Sequence, residues 1–118
     1  MKLSVILALA ALAMTVPAAT AAPQKGDFAR GQRVFSSCAA CHSLEPNRNM
    51  TGPSLAEIWN RKAGSLSSFP RYSPALKSSG IIWNDHTLDE WLKDPQHFIP
   101  GNTMTFPGMK VPETRILG

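Results

Sequence analysis

The chain has 118 residues, 43% of them hydrophobic, and a formal net charge of +4. That length gives room for one small domain, and the basic residues are scattered without a run, which excludes a nucleic-acid interface built on a basic stripe. Only two cysteines are present, too few for a disulfide framework, and ten prolines leave space for short helices joined by loops.

Lys2 precedes an almost wholly apolar run over residues 3–16, which Pro17 ends and small residues follow. A charged start, a short apolar centre and Ala19-Thr20-Ala21 describe a secretory leader cut after residue 21. The competing reading is an uncleaved anchor, but the run falls short of the roughly 20 residues a membrane span needs. The expectation is a leader over 1–21, a folded domain over 22–118, export to the periplasm, and no stable membrane insertion once the leader is removed.

Asp27 caps a helix beginning at Phe28, with Phe28, Gly31 and Phe35 on one face. Glycine inside a helix costs about 1 kcal/mol relative to alanine, so Gly31 suggests close approach by another backbone. Residues 36–51 are turn-rich. Ser54-Leu55-Ala56-Glu57 has the pattern of a capping box and predicts a short helix that buries Leu55, Ile58 and Trp59. Residues 64–72 read as a loop. Ser73-Pro74 starts a brief helix that Gly80 stops. Thr87-Leu88-Asp89-Glu90 predicts a second capping box, with Leu88, Trp91 and Leu92 as the apolar stripe and Pro95 as its end. Residues 99–112 are extended, punctuated by Pro100-Gly101 and Pro107-Gly108. No stretch alternates as a strand, so the fold class is all-α, with short helices and long loops.

Both cysteines lie in Cys38-Ala39-Ala40-Cys41-His42. C-x-x-C-H is the attachment signature of c-type haem. Cysteines three apart on one helical turn point to the same side and reach the two vinyl groups on one porphyrin edge. The next residue, His42, then lies beneath the iron as a ligand. Such a motif arises by chance in about one chain in a thousand of this length. A disulfide between the two would close a tiny loop and stabilise little. Structural zinc needs four ligands, and a thioredoxin-like site wants a βαβ pattern, of which there is no sign. The reading is one haem c, bound covalently through Cys38 and Cys41.

The sixth iron position needs a ligand from elsewhere. His86 sits beside Asp85 in a polar segment and should face solvent. Met50, close after the haem motif, should pack, and His97, Met104 and Met109 remain candidates. A lone methionine is usually core filler, but Met104 lies in a loop bounded by proline and glycine, where a side chain can be laid across a haem face. A thioether ligand raises the reduction potential.

The motifs Gly31, Phe35, the C-x-x-C-H run, Thr51-Gly52-Pro53-Ser54-Leu55, Arg61-Lys62, Gly64, Tyr72, Gly80-Ile81-Ile82-Trp83 and Ile99-Pro100-Gly101-Asn102-Thr103-Met104 occur in that order. In this the chain resembles the class I cytochromes c of the mitochondrial and α-proteobacterial type. The resemblance implies a small fold of short helices and long loops around one haem. It implies a soluble electron carrier rather than an enzyme. His42 and Met104 become the axial ligands, and the Pro53 carbonyl holds the His42 imidazole. Arg61, Tyr72 and Trp83 take positions around the haem propionates, where donors are needed. Trp91 stands where the family often has a tyrosine, and Phe106 matches an aromatic at the exposed haem edge. The implied partners are redox proteins: a cytochrome bc1-type donor, and an oxidase, reductase or reaction-centre acceptor. Lys62, Arg71, Lys93 and Lys110 are candidates to steer such encounters.

The sequence departs from the family at its end. The family's final helix crosses the first at the glycine matched by Gly31, whereas here about one turn can follow Pro112-Glu113. The expectation is a shortened chain with Phe28 and Phe35 partly exposed, to which an appended family-like helix restores melting temperature. Two alternatives to the carrier therefore stay open: a haem protein with an open or labile sixth position, acting as a weak peroxidase or gas sensor, and a haem subunit of a larger oxidoreductase.

Overall fold

A computed structural model describes residues 10–18 and 26–115. Most of the expected leader, its cleavage site after Ala21 and residues 116–118 lie outside that set. Among the described residues no helix is long and apolar enough to cross a membrane.

Among the described residues there are five helices: α1 Phe28–Phe35, α2 Pro74–Ser78, α3 Asp85–Lys93, α4 Pro95–Phe98 and α5 Pro112–Arg115. Each of the first four starts on a side-chain cap. Asp27 accepts the Arg30 N–H at 2.6 Å to open α1, and Ser73 accepts from Leu76 at 3.1 Å to open α2, with Pro74 in its first turn. These are the starts that the sequence predicts. No residue of α1 is buried, and Phe28 is 75% exposed.

Two local expectations fail for physical reasons. Ser54-Leu55-Ala56-Glu57 does not open a helix. Glu57 and Asn60 take left-handed φ values of +54° and +64°, which no α-helix continues through. The carbonyls that a helix would use are taken instead by Arg61, whose guanidinium donates to Ser54 O at 2.9 Å and Ala56 O at 3.0 Å. The consequence is that Trp59 points outward, 51% exposed, donating its indole N–H to Asp85 at 2.8 Å.

The second capping box is shifted by three residues. Asn84, not Thr87, is the cap of α3; Thr87 donates its N–H to the Asn84 side chain and returns its hydroxyl to the Asn84 N–H, both at 2.9 Å. Pro95 does end α3, yet it also begins α4, because Asp94 closes one helix and caps the next through the His97 N–H. A short antiparallel contact, Lys62 opposite Ile82, is a further feature absent from the sequence reading. Its main-chain bonds run from Ala63 to Ile81 at 2.8 Å and from Trp83 to Arg61 at 2.9 Å.

That contact brings Ala63 and Trp83 onto Trp91 of α3 and Ile99 after α4. The two indoles meet edge to face with centroids 5.6 Å apart. Ile58, Leu76, Leu88, Leu92, Phe98 and Met104 pack around them half-buried. The largest side chains fully buried among the described residues are those of Pro95 and Ser54. The buried core is thus a small cluster of Ala63, Trp83, Trp91 and Ile99 with half-buried apolar side chains around it.

The C-terminal segment is strapped to α3. Met109 donates its N–H to Leu92 O at 2.7 Å. Lys110 reaches Lys93 O and the Asp94 carboxylate at 3.1 and 3.0 Å. Arg115 joins Asp89 and the Met109 carbonyl at 2.8 and 2.7 Å. The Lys110 ammonium and then the His97 N–H hold the Asp94 carboxyl below its usual range. A depressed carboxyl contributes its stabilisation above the unfolded value and loses it as pH falls through the folded one. Acidification into the carboxylate range should therefore release this corner, and an NMR titration of Asp94 should move upward when Lys110 is replaced by methionine. An unchanged titration would show that the pair is not formed in solution.

Candidate functional site

The site starts where α1 ends. Past Phe35 the chain keeps turning: Cys38 and Ala39 both donate to Phe35 O, and Cys41 and His42 both donate to Cys38 O at 3.1 and 3.0 Å. Residues 38–42 therefore make one helical turn, which puts the two thiols on a common side. Neither cysteine is in a disulfide; Cys38 is half-buried and Cys41 exposed. Burial pushes the Cys38 thiol up; the Ser37 hydroxyl opposes this, and Cys41 adds to it. The thiol is thus protonated at neutral pH.

His42 is fixed from two sides. Its Nδ1 lies 2.8 Å from the Pro53 carbonyl oxygen. A carbonyl can only accept, so Nδ1 carries the hydrogen and Nε2 keeps its lone pair for a metal. Gly52 lies against the ring: a Cβ there would stand 2.3 Å from Cε1 and 2.9 Å from Nε2 of His42. Gly52 is itself held, donating to Cys41 O at 2.8 Å and accepting from Met50 at 2.9 Å. Gly52→Ala should force the imidazole off this seat at about 1–3 kcal/mol. The expected results are a lower melting temperature and poor recovery of haem-loaded protein. Normal loading would show that the ring has room to move.

The other residues singled out in the sequence divide into those that converge and those that do not. Arg61 and Trp83 are joined main chain to main chain. Arg61 also acts on Tyr72: burial pushes the phenol up, while the Leu66 main chain and the Arg61 charge pull it down. Tyr72 packs edge to face on Phe69, centroids 4.9 Å apart. Met104 is half-buried against the Trp83–Trp91–Ile99 cluster. Its N–H is held by Asn102 at 3.0 Å, and its carbonyl accepts from Phe106 at 3.0 Å. His86 and His97 are exposed. Met50 and Met109 are half-buried, Met109 being tied by its N–H to α3. Lys62, Arg71, Lys93 and Lys110 are exposed, though Lys110 is committed to Asp94.

Nothing in the sequence gives Gly52 or Asn102 a role. Both stand inside the family motifs, with Pro53 and Pro100 nearby constraining the backbone, but what touches them depends on the tertiary fold.

This donor set fits a covalently held haem. It offers two reduced thiols on one turn, an imidazole with Nε2 available, and half-buried apolar side chains around Trp83 and Trp91. A family model described as Cytochrome c matches residues 28–116. The chain is 48% identical to cytochrome c2 iso-2 of Magnetospirillum molischianum over 79 residues, which cover 67% of this chain and 80% of that protein. It is 48% identical to cytochrome c2 of Rhodoblastus acidophilus over 85 residues, 71% of this chain and 78% of that one. Among solved structures, cytochrome cH from Methylobacterium extorquens superposes with a TM-score of 0.72 at 39% identity, covering 78% of this chain and 93% of its own.

Proposed function

The chain belongs to the cytochrome c family, and on that footing we propose that His42 and Met104 are the axial ligands of its haem c. As a family member it is a soluble electron carrier with haem bound through Cys38 and Cys41. Cys38 and Cys41 would hold the haem covalently as thioethers, and His42 would bind its iron through Nε2. When bound, the haem supplies an iron that gains and loses one electron.

The chain's own residues do the rest. Pro53 orients the imidazole through Nδ1 and raises its basicity, as partners of metal-bound histidines do. Met104 offers a thioether that favours the reduced state. Arg61, Tyr72 and Trp83 furnish donors at one side of the crevice. Trp83 and Trp91 keep water from the sulfur. Because both ligands are already tied down, by Pro53 on one side and Asn102 on the other, little has to move when the charge changes.

The single observation that carries this reading is the 2.8 Å contact between His42 Nδ1 and the Pro53 carbonyl within the one-turn cysteine motif. The reading extends to a leader over 1–21, a haem domain over 22–118 and a periplasmic location. Its partners are a cytochrome bc1-type donor and an oxidase, reductase or reaction-centre acceptor, met in small, transient contacts. No catalytic activity of its own is proposed. The test is an optical spectrum of protein matured with haem in a bacterial periplasm. Sharp low-spin bands on reduction and a weak far-red sulfur-to-iron band on oxidation are expected. A high-spin spectrum with ready carbon monoxide binding would overturn the ligand assignment.

A further inference from the structure

Asn102 is buried, at 7% exposure, on a chain segment that is otherwise mostly exposed. Both ends of its carboxamide are used. The Nδ2 donates to Pro95 O and to Ile99 O, each at 2.9 Å. The Oδ1 accepts the Met104 N–H at 3.0 Å. Its main-chain N–H returns to Ile99 O at 3.2 Å, closing a turn with Pro100 second and Gly101, φ +86°, third. That is the residue pattern of a type II turn. The turn aims the side chain back at α4.

Each of these carbonyls also accepts a main-chain N–H, Pro95 O from Ile99 and Ile99 O from Asn102, so the amide adds a second donor to both. Asn102 gathers two main-chain carbonyls of this corner with one amino group and, two bonds away, fixes the amide of Met104. We propose that Asn102 is the positioning residue for Met104, welding the ligand's backbone to the end of α4; this rests on the reading of Met104 as a ligand. Only an amide of this length serves. Aspartate keeps the acceptor but turns a negative oxygen toward two carbonyls. Serine has one hydroxyl proton for two acceptors and a shorter reach. Gln96 supports the corner from outside, donating to Asn102 O at 3.1 Å.

The consequence is a barrier to displacing the sulfur. A foreign ligand binds ferric iron only when Met104 swings away, so its apparent affinity reports how often the loop opens. The test measures imidazole binding to the oxidised holoprotein in wild type, Asn102→Ala and Asn102→Asp, with Asn84→Ala as control. Asn84→Ala removes the cap of α3 at the end remote from Met104, so it lowers stability without touching this corner. Both Asn102 variants should bind imidazole about ten- to a hundredfold more tightly than wild type. Asn84→Ala should match wild type within about twofold even where it melts as low as the Asn102 variants. Unchanged affinity in the Asn102 variants, or an equal rise in Asn84→Ala, overturns the role of Asn102 while the far-red band of wild type leaves the ligation reading intact. A wild type without that band overturns both. Should neither Asn102 variant mature, Gln96→Ala, a surface change, should raise imidazole affinity about threefold; no rise there overturns the proposal.

Discussion

Met104→Ala is expected to abolish the far-red band, leave the ferric protein high-spin, and lower the reduction potential by on the order of a few tenths of a volt. The direction follows from the ligand. A thioether donates weakly to ferric iron and stabilises the ferrous form, so its loss favours oxidation. The size follows from the surroundings. Met104 packs against two indoles and Ile99, and truncation admits water where the sulfur stood. Carbon monoxide should then bind the reduced protein readily. Voltammetry and a single absorption spectrum settle the matter. If Met104→Ala keeps the band while Met109→Ala loses it, the ligand is the methionine that lies on α3, and the extended segment would have to be rearranged from its strapped course.

The second large effect concerns the thiols. In the double variant Cys38→Ser, Cys41→Ser, any haem taken up should extract into acidified organic solvent, and the far-UV signal should melt near room temperature. The reason lies in the interior. Among the described residues the buried core cluster is small, Ala63, Trp83, Trp91 and Ile99, and none of α1 is buried. Net stability of a domain is only about 5–15 kcal/mol, and with so small a core the covalent attachment is expected to carry much of it. Single variants keep one vinyl group conjugated and should show a red-shifted reduced band with intermediate melting. A double variant as stable as wild type would mean that the polypeptide packs its own core.

The legible parts of this molecule were those in which neighbours in sequence are neighbours in space. Asp27 and Ser73 cap the helices that follow them, and the cysteine motif closes on itself within one turn, so local chemistry was enough. Ser54-Leu55-Ala56-Glu57 misled because a residue beyond the motif, Arg61, takes its carbonyls, and because left-handed positions fell on Glu57 and Asn60 rather than on glycines. The shift from Thr87 to Asn84 has another origin. Asn84 and Thr87 are both competent caps, and the reciprocal bond lets threonine serve inside the helix. What the sequence could not show was the seat of Gly52 under the His42 ring or the double use of the Asn102 amide, since both depend on where distant backbone arrives.

Asp94 occupies the corner between α3 and α4, and its carboxylate also holds Lys110. Three segments thus meet at one residue, its main chain closing α3 and its side chain holding α4 and Lys110, and Met109 and Asn102 add ties among the same three. In thermodynamic terms the corner from Asp94 to Lys110 forms one cooperative unit. The loop that carries the sulfur cannot melt piecemeal, and a substitution anywhere in it is felt as a change in the opening of the whole block. The energy that guards the ligand is therefore distributed over the corner, and effects measured one residue at a time will not add.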